Sequence, residues 1–208
     1  MICSVKWNKG DRVMNLPNKL TVARIIMTPL FMAAMLIEFP HHYLVAVLLF
    51  AVAALTDLLD GKIARARGIV TNFGKFLDPL ADKMLTTSAY LGFIFVFRDT
   101  VYAWHMVAIV FIVLFREFMV SSLRLVTVSS GGKVVAANMW GKAKTVSQMV
   151  GIVLALFAYV LIGDFGMTDI KGILDIVIIA LYWLSAVLCV ISGGIYLAAC
   201  KDYINPNK

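Results

Sequence analysis

The stretch DLLDGKIARARGIVTNFGKFLDPLADK, residues 57–83, sets four aspartates, Asp57, Asp60, Asp78 and Asp82, where two apolar runs meet. The 208-residue chain around it is 62% hydrophobic and 15% charged, with a mean hydropathy of +0.90. Soluble domains carry roughly 45–50% apolar residues, so the composition predicts an all-α integral membrane protein. A hydrocarbon core about 30 Å thick is crossed by roughly 20 apolar helical residues. Runs of this kind near 17–37, 43–62, 79–97, 102–126, 144–163 and 172–199 predict six transmembrane helices. The breaks between them, among them EFPHH, FRDT and GDFGMTDIKG, hold the turn-forming residues such boundaries need. Residues 1–13 are polar and irregular and read as an N-terminal cytosolic extension, and 14–208 as one six-helix domain.

Charge placement predicts the orientation. With the N-terminus on one side, all Lys and Arg except Arg98 and Lys171 fall on that side or at its membrane face. The positive-inside rule makes that side cytoplasmic, together with both termini and the four aspartates. The net charge of +7 sits between apolar runs, so anionic headgroups and phosphorylated substrates are the expected partners, not nucleic acid. Cys3, Cys189 and Cys200 lack the spacing of a disulfide framework or a zinc site.

Asp57 and Asp60, three residues apart, share a helix face at the end of the second span. Asp78 and Asp82, four apart, share a face at the start of the third. A short loop that folds these helix ends together brings four carboxylates into a small volume. Like charges in a poorly hydrated site repel unless cations neutralise them. Oxygen ligands without His or Cys favour hard ions, Mg²⁺ or Mn²⁺, and two ions suit four acids. Acids at a helix start also serve simply as dipole partners, and that plain role stands beside the catalytic one. Gly61 and Gly74 allow a ligand close to the backbone, Ala64 is small, and Arg65 offers a planar fork to a phosphate.

The pattern Asp57-x-x-Asp60-Gly61-x-x-Ala64-Arg65, eight residues, then Gly74-x-x-x-Asp78-x-x-x-Asp82 resembles the signature of the CDP-alcohol phosphotransferase family at every fixed position. The resemblance implies a six-helix membrane enzyme, a homodimer, with its site at the cytosolic face of a bacterial plasma membrane. It implies transfer of a phosphatidyl group from a CDP-linked donor such as CDP-diacylglycerol to an alcohol, with release of CMP. On that analogy Asp57, Asp60, Asp78 and Asp82 hold two divalent cations, and Asp82 is also the general base. Gly61, Arg65 and Thr71 then line the CDP pocket beside Ala64 and Gly74, with Asn18 and Thr21 as further donor contacts.

The acceptor is read outside the signature. The opening MNLPNKLTVARI, the run LFREFMVSSLR and the segment MWGKAKTVSQM resemble the branch of the family that uses glycerol 3-phosphate. Arg116 and Glu117 interrupt an apolar run, where ionisable residues face polar cavities. Arg116, Lys142 and Lys144 form a basic trio suited to a dianionic acceptor phosphate, with Glu117 as a pairing partner. Within the family, a cardiolipin synthase taking phosphatidylglycerol is the alternative. A cation or metabolite transporter fits poorly, because the acids cluster at one face. His41, His42, His105, Trp104, Tyr102 and Trp183 read as solvated, interfacial or packing residues, and Gly193 and Gly194 as a point of close helix packing, with a dimer contact as one place for it.

Overall fold

The computed structural model describes residues 15–67, 72–129 and 139–201, apart from the side chains at 62, 64–67, 72 and 75. Its described elements are α1 (Leu16–Leu36), α2 (His42–Arg67), α3 (Asn72–Val96), α4 (Tyr102–Ser129), α5 (Met139–Tyr159) and α6 (Lys171–Ala199). A π-helical turn, Val160–Asp164, and a short 3-10 turn, Thr168–Ile170, connect α5 to α6. The Asn15 side chain accepts from the Asn18 N–H at 3.1 Å and caps α1, and Pro17 occupies its first turn, where no N–H partner is needed. At the start of α2 the carboxylate of Asp164 takes the same role, accepting from the N–H groups of Leu44 at 2.7 Å and Tyr43 at 3.4 Å.

Two helix groups make the bundle. α1 packs on α2 and α3, while α6 packs on α4 and α5; α3 also touches α4 and α5, and α2 touches α5. Between the groups lies an aromatic core of Phe31, Phe50, Phe93, Phe97, Tyr90, Tyr159 and Tyr182. Its polar atoms are largely satisfied internally: Tyr159 donates to Asp175 Oδ1 at 2.8 Å, and the Tyr90 hydroxyl lies 3.3 Å from Ser185 Oγ. The outer surface is apolar, with Phe111, Phe115 and Phe118 of α4 and Leu48, Val52 and Leu55 of α2 exposed. Such a surface is a liability in water and the ordinary state in lipid.

Five helical stretches are long and apolar enough to cross a membrane, and α3 is the described long helix that falls short. Its first half carries Lys75, Asp78, Asp82 and Lys83, which lower its apolar character. The expected six-span count is therefore six long helices, of which five meet the requirement. α6, at 29 residues, extends about 43 Å at 1.5 Å per residue and outruns the hydrocarbon core.

Three expectations are corrected. α3 begins at Asn72, not near 79, so Asp78 and Asp82 sit inside a helix and not at its dipolar N-terminus; Pro79 is accommodated within it. α2 runs on as a helix to Arg67, beyond its apolar span His42–Gly61, so Asp57 and Asp60 close the span as expected but are internal to the helix, and Gly61 is helical. His42 is half-buried, with Nδ1 3.1 Å from the Ala34 carbonyl, whereas His41 is exposed as expected. Gly193 does permit close packing, but within the chain: a Cβ there would lie 3.1 Å from Arg116 Cγ and Met119 Cε of α4.

Candidate active site

The first half of the site is built where α1, α2 and α3 meet. Arg24, with none of its side chain exposed, places Nη1 2.6 Å from Asp57 Oδ1 and Nη2 against Asp60 Oδ2. The Thr21 hydroxyl, one turn earlier on α1, has a single hydrogen to donate. It lies 2.8 Å from Asp78 Oδ1, 3.3 Å from Asp60 Oδ2 and 3.1 Å from the Pro17 carbonyl. Positions 21 and 24 share a helix face, so one stripe of α1 presents a hydroxyl and a cation to acids from two other helices. Asn18, also buried, begins that stripe. Asp60 is 5% exposed, while Asp57 and Asp78 open outward.

The second half is a cavity of about 600 Å³ between α3, α4, α5 and α6. Its lining holds five cations, Lys83, Arg116, Arg124, Lys142 and Lys144, against two acids, Asp82 and Glu117. Glu117 ties the wall together: it accepts from Arg116 Nη1 at 3.1 Å and pairs with Lys144 of α5. Arg116 Nη2 donates to Ser192 Oγ of α6 at 2.6 Å, and Lys83 donates to Ser121. A narrow extension reaches from Asp82, Lys83, Glu117 and Lys144 towards Tyr90 and Gln148. Lys142 is exposed at the cavity's edge, and Lys144 is 6% exposed within it.

Helix α3 joins the halves. Asp78 faces Thr21 on one side, and Asp82, one turn later, borders the basic cavity on the other. Asp82 is exposed, and among the described residues its carboxylate has no ion-pair partner. Of the donor contacts named from sequence, Asn18 and Thr21 lie in the acid cluster. Gly61 and Gly74 are placed in α2 and α3 beside it, Gly74 buried. The side chains of Ala64 and Arg65, and residue Thr71 entirely, lie outside the described residues.

Among the described residues no three His, Cys, Asp or Glu side chains stand close enough to enclose a metal ion. The donor chemistry still fits hard divalent cations. Asp57 and Asp60 share one buried guanidinium and Asp78 meets only the Thr21 hydroxyl, so three clustered carboxylates have a single counter-charge, and all their donors are hard oxygens.

A helical chain with paired acids and a basic cavity has counterparts. The sequence model of CDP-alcohol phosphatidyltransferases matches residues 14–193. The chain belongs to this family. Among its relatives is a CDP-diacylglycerol–glycerol-3-phosphate 3-phosphatidyltransferase of Bacillus subtilis (strain 168), 45% identical over 150 residues, covering 66% of this chain and 74% of that one. The enzyme of the same name from Rickettsia bellii is 36% identical across 91% of this chain and 97% of its own. The crystal structure of Mycobacterium tuberculosis phosphatidylinositol phosphate synthase in apo form shares the fold, with a TM-score of 0.61 at 22% identity and 90% coverage of both chains.

Two residues that organise the site are not singled out by the sequence. Arg24 interrupts an apolar run just as Arg116 does, and that interruption is the available signal. Ser192 and its bond to Arg116 had no such signal, because a lone serine in a transmembrane run is common.

Proposed function

We propose that the protein transfers the phosphatidyl group of CDP-diacylglycerol to sn-glycerol 3-phosphate, giving phosphatidylglycerophosphate and CMP. The observation that carries the reading is the position of Asp82 on α3, between an acid cluster and a cavity lined by five cations. Family membership and two relatives named for this reaction support it.

Each half suits one substrate. The donor's pyrophosphate is anionic and cannot approach four carboxylates directly. Divalent cations, Mg²⁺ or Mn²⁺, held by Asp57, Asp60, Asp78 and Asp82, would supply charge neutralisation and polarise the phosphoryl oxygens. Arg24 fixes Asp57 and Asp60, and Thr21 fixes Asp78, so the ligands are oriented before any ion arrives. Asn18, Thr21, Gly61, Ala64, Arg65, Thr71 and Gly74 contribute the nucleotide side. Arg116, Lys142 and Lys144 receive the dianionic acceptor phosphate, which places the acceptor's free primary hydroxyl towards Asp82. Asp82 takes the hydroxyl proton as the oxygen bonds to the β-phosphorus and the bond to the CMP phosphate breaks. Glu117 gathers Arg116 and Lys144 on one carboxylate oxygen at the cavity wall.

The reading places the site and both termini on the cytoplasmic side of a bacterial plasma membrane and the enzyme in a homodimer; the distribution of cations supports the first and the family resemblance the second. Purified protein given CDP-diacylglycerol should release CMP with glycerol 3-phosphate, lose that activity in EDTA, and regain it with Mg²⁺ or Mn²⁺. CMP release with phosphatidylglycerol but none with glycerol 3-phosphate would make it a cardiolipin synthase instead.

A further inference from the structure

One wall of the basic cavity carries two donors that, among the described residues, have nothing to donate to. The Tyr196 side chain of α6 is 6% exposed and lines the cavity, and its hydroxyl is shielded from water without a hydrogen-bond partner. Arg116 Nε, on the facing helix α4, is buried and unpartnered as well, although the two terminal nitrogens of the same side chain are engaged by Glu117 and Ser192. Ser192 lies one turn before Tyr196, so both donors belong to one patch of the α4–α6 contact. Arg124 stands 5.6 Å from the centre of the Tyr196 ring and adds positive charge at the same place.

The surroundings of the ring do not call for a hydroxyl. Val120, Leu123, Cys200 and Met119 pack around it, and phenylalanine would fill the same space. A buried polar atom with no partner is destabilising, so the free protein is better off without this oxygen. A ligand that brings several acceptor oxygens into the patch reverses the sign. A phosphate monoester does so and also meets the charge of Arg116 and Arg124.

We infer that Tyr196 is a specificity-determining residue for the acceptor: its hydroxyl, together with Arg116 Nε, donates to the phosphate monoester of the incoming alcohol. The inference rests on the glycerol 3-phosphate reading and assigns to it a residue that no basic motif reveals. It distinguishes a phosphorylated acceptor from a neutral polyol of the same shape, because only the former offers acceptors for both donors.

The variant Y196F removes the oxygen and keeps the ring. Its KM for glycerol 3-phosphate should rise about tenfold, the loss expected for a hydrogen bond to a charged group, with kcat and the KM for CDP-diacylglycerol unchanged. Thermal unfolding in detergent supplies the second readout. Without acceptor, Y196F should melt no lower than the wild type; with glycerol 3-phosphate, its midpoint should rise by less. An unchanged KM together with an unchanged ligand-induced shift would overturn the inference, as would a lower midpoint without acceptor, which marks the hydroxyl as structural. A wild-type enzyme inactive on glycerol 3-phosphate would instead overturn the acceptor reading itself, so the two failures are told apart.

Discussion

Arg24 has no contact with water, so its charge is met by protein alone, through Asp57 and Asp60. Deleting one partner of a buried ion pair leaves the other uncompensated, typically at a cost of about 3–5 kcal/mol. R24Q should therefore lower the thermal midpoint and nearly abolish turnover, whereas R24K, which keeps the charge but not the two-armed fork, should be intermediate in both. A midpoint equal to that of the wild type in R24Q would show that the acids need no counter-charge from α1. The same residue marks the limit of what the sequence disclosed. The aspartates announced themselves by clustering in an apolar chain, but Arg24 lies more than thirty residues before Asp57, and only folding α1 against α2 brings it there. Lys144 illustrates the converse: the sequence named it, and the structure adds that Glu117 holds it. E117Q should raise the KM for glycerol 3-phosphate by roughly tenfold, because Arg116 and Lys144 lose the negative charge that orients them. Steady-state kinetics with the acceptor varied checks this.

At the scale of elements, apolar run lengths disclosed where the helices are, but not where they end. α2 and α3 continue past Asp57, Asp60 and Asp78, which meet Arg24 and Thr21 of α1, and hydropathy alone carries no trace of such contacts. A comparable dependence on packing appears at the opposite end of the bundle. Gly163, in the π-helical turn after α5, lies so close to α2 that a Cβ would stand 2.3 Å from Tyr43 Cε2. The Tyr43 ring is itself wedged between His42 and Tyr159, with ring centroids 4.0 and 5.4 Å away, so it has little room to retreat. G163A should thus destabilise the bundle by about 1–3 kcal/mol, the usual range for overpacking. Because the turn lies far from the aspartates, the fraction that remains folded should keep the wild-type KM for both substrates. Thermal unfolding and kinetics on the same preparation test the two statements together.

Across the whole molecule, function depends on polarity in two directions. Along the membrane normal, cations gather at the end that holds the aspartates, and the opposite end retains Arg98, Asp99 and Glu38 around a separate cavity of about 520 Å³. Single cysteines introduced in place of Asp99 and Lys142 should therefore react with membrane-impermeant reagents from opposite sides, Asp99→Cys from outside intact cells and Lys142→Cys only after permeabilisation. Labelling of both from one side would mean that α4, the helix between the two positions, does not cross. Within the plane of the membrane, α3 lies between an acid cluster and a basic cavity, and Asp82 is the signature aspartate that borders the cavity. The most direct test is therefore D82N, assayed with labelled glycerol 3-phosphate for the formation of labelled phosphatidylglycerophosphate, alongside binding of both substrates. A proton-accepting role predicts a loss of product formation of about 10²–10⁴-fold with both substrates still bound. Near-normal labelled product from D82N would contradict it.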